Sequence, residues 1–254
     1  RRTESRENGL MLIRCEEALL LLTAAELHAE MWGGHPGTAN KRVTINGRST
    51  YSLPRVGTEE GHCTYFHPAV PLRQGDLVNG YNAFQFALDQ GTTFWGHAMI
   101  DAARLRVALV PDHPDLRTAG LAGFQARVEA VPASPESSDV DEGIRLTLEC
   151  PAALRPRIDS VELQGWYDGY DENGNRRSVD WHGFTRLGEP RARLGVVREP
   201  PFEALWDTSM LTAQEDVAVR AVVRFRDAPA LAYVTAATRG LEIPERRGVR
   251  VATV

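Results

Sequence analysis

Lysine is almost missing from this sequence: Lys41 stands alone, and arginine fills every other one of the 29 basic positions. Against 34 acidic residues these leave a net charge of −5, with no block of basic residues anywhere along the chain. A nucleic-acid partner is therefore not expected, because phosphate neutralisation and counterion release need a positive face. The arginine bias could serve bidentate ion pairs with carboxylates, but a GC-rich genome's preference for arginine codons is the plainer account of it. Cysteine is scarce too. Cys15, Cys63 and Cys150 are an odd number without a C-x-x-C pair, which excludes a zinc framework or a disulfide-stapled fold. One Cys15–Cys63 bridge and a set of buried free thiols both remain open. Long apolar runs are absent. The longest, Ala18 to Leu22, falls far short of the roughly 20 residues that a membrane-spanning helix needs, so a soluble chain with no membrane span is expected.

Motifs of catalysis are missing as well. The sequence has no H-E-x-x-H, no G-x-S-x-G, no G-x-G-x-x-G and no G-K-[ST], which leaves no sequence case for a zincin, a nucleophile elbow or a phosphate loop. Glu26/Glu30 and Glu59/Glu60 form carboxylate pairs of the kind glycosidases use, but a chain with 34 acids contains such pairs by chance. The 7 histidines show no ligand spacing, and a composite metal site would have to gather His28, Glu30, His62 and His97 from separate strands. The chain is accordingly read as non-catalytic, with an unrecognised hydrolase or metal protein as the remote alternative.

What is present is alternation with period two. Ala25, Leu27, Ala29 and Met31 point one way while Glu26, His28, Glu30 and Trp32 point the other, as in a strand with one buried face. Helix is the rival over Glu16–Met31, where Ala, Leu, Glu and Met favour it. Val43-Thr-Ile45 followed by Asn46-Gly47 predicts a hairpin. Phe84/Phe86/Leu88 and Leu105/Val107/Leu109 alternate in the same way, with Gly and Pro after them. A second series follows: Ile144/Leu146/Leu148, Val161/Leu163/Gly165, and Val217 to Phe225 as the clearest strand. Pro111, Pro114 and Gly120 break regularity between the two series, and Pro132–Asp141 reads as a loop inside the second. An all-β chain of two β-sandwich domains is predicted, residues 1–115 and 120–254, the first jelly-roll-like and the second with an Ig-like number of strands. The polar start, Arg1 to Asn8, reads as a linker.

The segment Leu77-Val-Asn-Gly80-Tyr-Asn82, the strand after it, Trp95-Gly-His97 and Ile100-Asp101 together resemble galactose-binding-like β-sandwich modules. Trp166-Tyr-Asp-Gly-Tyr-Asp-Glu-Asn-Gly-Asn175, Asp180-Trp-His182 and Phe202-Glu-Ala-Leu-Trp-Asp-Thr208 give residues 124–242 a likeness to the Ig-like modules attached to large secreted bacterial carbohydrate-active proteins. The resemblance implies a carbohydrate-binding ancillary region of a larger secreted protein, extracellular or at the cell surface, with a polysaccharide or glycan and further domains of the parent as partners. A structural or protein-interaction pair of β-domains is the alternative.

Aromatics carry the site prediction. Trp32, Tyr51, Tyr65, Tyr81 and Trp95 all lie within three residues of a Gly, Pro, His or Asn, where strands are expected to give way to loops. An exposed indole stacks on a sugar ring while polar neighbours bond its hydroxyls. The predicted glycan surface comprises Trp32, His35, Asn82, Trp95 and His97. No cofactor is expected beyond one possible structural calcium on Asp168, Asp171, Asn173 and Asn175. Their oxygen donors alternate, but Gly174 falls early for an EF-hand and no closing Glu follows. An ion-free Asx turn is the competing reading.

Overall fold

The computed structural model describes residues 9–32, 38–53, 65–90, 98–133, 143–170, 177–182, 185–186, 189–190, 194–209 and 211–245. The protein is all-β, 61% strand against 10% helix, with several antiparallel sheets. It divides into two compact units: Arg1–Gly123 with Tyr170–Ser178 and Thr185–Glu189, and Phe124–Gly169 with Val179–Phe184 and Pro190–Val254.

In the first unit the strands are β1 (Gly9–Cys15), β2 (Leu22–Trp32), β3 (Thr38–Ile45), β4 (Ser49–Ser52), β5 (Tyr65–Phe66), β6 (Ala69–Leu72), β7 (Gly80–Gln90) and β8 (Met99–Leu109). One sheet has the order β1-β7-β3-β4, and the other is built on β2, with β5 and β6 along one edge and β8 along the other. The inner faces of both sheets share one core, in which Ala25, Leu27, Ala29 and Met31 meet Val43, Ile45, Phe84 and Phe86. This arrangement is compatible with a β-sandwich.

The helical alternative for Glu16–Met31 is not adopted beyond a single 3₁₀ turn at Leu19–Leu21. Ladders on both edges of β2 satisfy its backbone, and alternation puts four apolar side chains into the core. That burial outweighs a propensity difference of a few tenths of a kcal/mol per residue. The predicted hairpin is β3–β4: Asn46 and Gly47 take φ of 50° and 66°, and the Arg48 amide donates to the Ile45 carbonyl at 2.8 Å. Positive φ at both central residues is what a turn matched to strand twist demands, and Asn-Gly supplies it at little cost.

The second series begins with β9 (Arg127–Pro132), β10 (Gly143–Glu149) and β11 (Ile158–Tyr170) and continues with β12 (Arg177–His182), β13 (Thr185–Arg186) and β14 (Glu189–Pro190), of which residues 177–178, β13 and Glu189 fall within the bounds of the first unit; β15 (Gly195–Val197), β16 (Glu203–Asp207), β17 (Gln214–Phe225), β18 (Ala232–Val234) and β19 (Thr238–Ile243) complete the second unit. One sheet runs β16-β10-β9; the other runs β12-β11-β17-β18, with β15 on β11 and β19 on β17, while β13 and β14 pair alone. Ile144, Leu146, Leu148, Val161, Leu163 and the alternate residues Val217, Val219, Ala221, Val223 and Phe225 are buried as predicted, but β17 buries Ala218 and Val222 on its other face as well, and β11 buries Gln164. Trp206 and Phe202 are core residues, as the sequence implied. Phe124 seals one end by edge-on contacts to Phe225 and Tyr233, at 5.3 and 4.8 Å between ring centres.

Candidate functional site

The outer face of β2 is where polar side chains collect on the first unit. Register sets Glu26 opposite Arg106 and His28 opposite Arg104 on β8. His28 is buried, and its Nε2 lies 2.9 Å from Glu26 Oε2. Glu30 is buried further along the same face, and half-buried Trp32 closes the strand.

Trp32 marks one end of the unit, and that end is organised by two pairings. In one sheet Trp32 faces Met99 across the β2–β8 ladder; in the other, Thr38 faces Gln90 across β3–β7. Residues 33–37 join Trp32 to Thr38, and residues 91–98 join Gln90 to Met99. Both connections therefore depart from and return to the same two paired positions. His35, Trp95 and His97 lie within these connections, outside the described residues. Tyr65, the partner of Trp32 on its other side, begins at this end as well. A bulge between Ala39 and Arg42 is fastened here by Asp89, which accepts from Asn40 Nδ2 at 2.6 Å and Arg42 Nη1 at 2.8 Å. These two bonds, Asn40 first, hold the Asp89 carboxyl below the usual carboxylate range.

Asn82 belongs elsewhere. It lies eight residues before Gln90 on β7, about 26 Å at a strand rise of roughly 3.3 Å per residue. Its side chain is fully buried. The amide nitrogen donates to the Val78 and Gly80 carbonyls at 2.9 and 3.0 Å, and the oxygen accepts from the Val78 amide and Asn46 Nδ2 at 2.8 and 2.9 Å. The predicted role in orienting a sugar is corrected on this ground: with donors and acceptor consumed inside the unit, Asn82 is a turn-holding residue. The Leu-x-x-Gly-x-Asn segment is thus a structural device. Asn46 extends it, donating to the Asp76 carbonyl at 2.8 Å and accepting from the Ala83 amide at 2.8 Å.

Asp76, in the same polar knot, was not singled out by sequence reasoning. The buried carboxylate accepts from the Tyr51 hydroxyl and from Ser49 Oγ, the latter at 2.9 Å. The Tyr51 bond lowers its pKa most; burial opposes that shift, while Ser49 and the Arg73 and Arg48 charges reinforce it. Tyr51 also accepts from the Arg73 amide at 2.9 Å. Nothing local betrays this set, because Tyr51 and Asp76 meet only through folding. Tyr81, by contrast, is 67% exposed at the Asn82 end of β7, on the same outer face as exposed Leu12.

No family model matches the sequence, and no curated protein is significantly similar to it.

Among the described residues, one group of three side chains could gather round a metal ion: Glu17, His113 and Asp115. Hydrogen bonding at the imidazole argues against it. His113 Nδ1 accepts from the Asp115 amide at 3.2 Å, capping the short helix α1 (Pro114–Thr118). That bond occupies the Nδ1 lone pair and leaves the proton of the neutral ring on Nε2, which lies 3.4 Å from Glu17 Oε2. Neither nitrogen then offers a lone pair to a metal. Cys15 is a buried free thiol bonded to the Glu17 carbonyl at 3.8 Å, so a bridge to Cys63 is not formed. Of the four proposed calcium ligands only Asp168 is described. It is half-buried, with its backbone clasped by the Gln214 amide at 2.7 and 3.0 Å; Asp171, Asn173 and Asn175 lie outside the described residues. Trp166 and Trp181 meet edge-on at 5.8 Å, and the Arg220 guanidinium stacks 4.0 Å over Trp181. Arg220 also donates to buried Gln164 at 2.9 Å, so this shelf is held together from within.

Proposed function

We propose that the chain is a non-catalytic carbohydrate-binding region of a larger secreted protein. In this reading the first unit is a galactose-binding-like module and the second an Ig-like companion. The observation that carries it is the pairing of Trp32 with Met99 and of Thr38 with Gln90. It sets side by side the strand ends that flank residues 33–37 and 91–97, the stretches of sequence in which His35, Trp95 and His97 fall. Aromatic rings beside imidazoles on loops anchored by a rigid pair of sheets suit a sugar, which needs a flat apolar face and a few directed polar groups. On the outer face of β2, the half-exposed Glu26 carboxylate and, across the ladder, the exposed Arg104 guanidinium are polar groups able to bond ring hydroxyls, whereas His28 and Glu30 are buried.

The test is a glycan array on the full chain, followed by calorimetry on the best polysaccharide. Trp32→Ala and Trp95→Ala should each cost about 2 kcal/mol, a typical loss at a hot spot and roughly thirtyfold in affinity. His97→Ala, which removes no stacking ring, should weaken binding less while leaving the circular dichroism spectrum unchanged. A wild-type chain that binds no polysaccharide on the array, or a Trp95→Ala chain that binds as the wild type does, would overturn the reading.

A further inference from the structure

The second unit contains a cleft of about 520 Å³, bordered by Ala130, Pro132 and Ala133 on one side and by Gly240, Glu242 and Pro244 on the other. That volume is in the range of ligand sites, roughly 300–1,000 Å³. Gly143, Ile144, Thr208 and Leu241 complete the lining of the cleft, so most of the side chains on it are small or apolar. β9 and β19 border the cleft on two sides, and residues of β10 and Thr208 reach it as well. Among the described residues β9 has a strand neighbour only in β10, and β19 only in β17.

The direction of the β9 backbone follows from its ladder. The Ala133 amide donates to the Gly143 carbonyl at 2.8 Å, so 133 and 143 are a hydrogen-bonded pair, and with them every second pair back along β9. Glu129 and Val131 thus direct their backbone groups to β10, whereas Val128, Ala130 and Pro132 direct theirs away from it. Val128 verifies the phase independently: its carbonyl accepts from Thr238 Oγ1 of β19 at 2.6 Å. That bond ties the two edges together at one end. Beyond it the Ala130 amide and carbonyl and the Pro132 carbonyl point away from β10, on two residues that line the cleft.

We propose that this cleft is a docking site for an extended segment of a partner polypeptide, which adds as a strand to the open edge of β9. Main-chain bonds to Ala130 and Pro132 supply affinity without sequence. Ala130 to Ala133 offer an edge for about four residues at roughly 3.3 Å each. Charge complementarity supplies selectivity, because exposed Glu242 is the one ionisable side chain among the described residues that line the cleft. The partner segment therefore has alternating small apolar residues with one lysine or arginine opposite Glu242. This function belongs to the second unit and stands whether or not the first binds sugar.

The experiment uses the full chain and a fluorescein-labelled peptide, Thr-Val-Arg-Val-Thr-Val-Thr, followed by anisotropy. Two companions are a glutamate-for-arginine version and a version N-methylated at alternate residues. The arginine peptide should saturate with a Kd below about 1 mM. The glutamate version should be about fivefold weaker, as befits an exposed ion pair, and the N-methylated one should not bind, because strand addition needs its N–H groups. Glu242→Lys, an exposed change that leaves the fold intact, should reverse the preference between arginine and glutamate peptides. Failure of the arginine peptide to saturate, equal binding of the N-methylated peptide, or an unchanged preference in Glu242→Lys would each overturn the proposal. A concentration-dependent dimer displaced by the peptide would assign the cleft to a second copy of the chain and overturn the partner assignment.

Discussion

Replacing Asp76 by Asn keeps the shape of the side chain and removes its charge, which isolates what the carboxylate does for the first unit. Asp76 is 6% exposed and accepts from two hydroxyls, Tyr51 and Ser49. Asparagine retains one acceptor oxygen and sets an NH₂ against the other hydroxyl. The Tyr51 oxygen already accepts from the Arg73 amide, so that side of the pocket welcomes a second donor poorly. A hydrogen bond to a charged group contributes about 1.5–3 kcal/mol, so Asp76→Asn should cost about 2 kcal/mol and Asp76→Ala about 3–4 kcal/mol. Hydrogen exchange read on peptides from β3 and β7 reports this unit separately from the other. The slowest amides there should exchange about thirtyfold faster in Asp76→Asn at pH 7, since each 1.36 kcal/mol is tenfold. The pH dependence has a definite sign. The folded pKa lies below the unfolded one, so folding favours the ionised form. Its contribution is complete above the unfolded value of about 3.9 and disappears as pH falls through the folded value. The difference in Tm between wild type and Asp76→Asn should accordingly be constant from pH 7 to about 5 and collapse below about 4. Exchange within threefold of wild type, or a Tm difference that closes near pH 6, would refute the reasoning.

Two further outcomes follow from single groups. His113→Ala should destabilise by about 1 kcal/mol, the usual worth of a helix cap, and EDTA should leave the wild-type Tm unchanged; a fall restored by zinc would show that the imbalance of lone pairs at His113 is not what decides that site. Burial pushes both the Cys15 and the Cys150 thiols up, so access decides between them: Cys15 is 3% exposed and Cys150 half-buried, and in a Cys63→Ser background at pH 8 Cys15 should be labelled by a disulfide reagent at least about tenfold more slowly than Cys150. Comparable rates, read by peptide mass spectrometry, would contradict the burial.

The strands of the core could be read from the sequence because a period of two records one-sided burial residue by residue. Leu146, Leu163 and Val219 are inside for the same reason that their neighbours are polar or small. The Asn46-Gly47 turn was legible on equally local grounds, since few residue pairs tolerate positive φ twice in succession. For β2 the local signal pointed two ways, and partners along both edges decided for the strand. Asn82 went further: its type suggested a sugar-binding amide, yet folding closed a loop around it and used all its bonds. Asp76 with Tyr51, the capping role of His113 and the open edge of β9 had no local signature at all. Each depends on which distant backbone arrives alongside, and a sequence pattern carries the burial of a face but not the identity of the strand that packs beside it. Alternation along the chain determined that this protein is built of strands; only the tertiary register determined which polar groups are consumed inside it and which are left facing out.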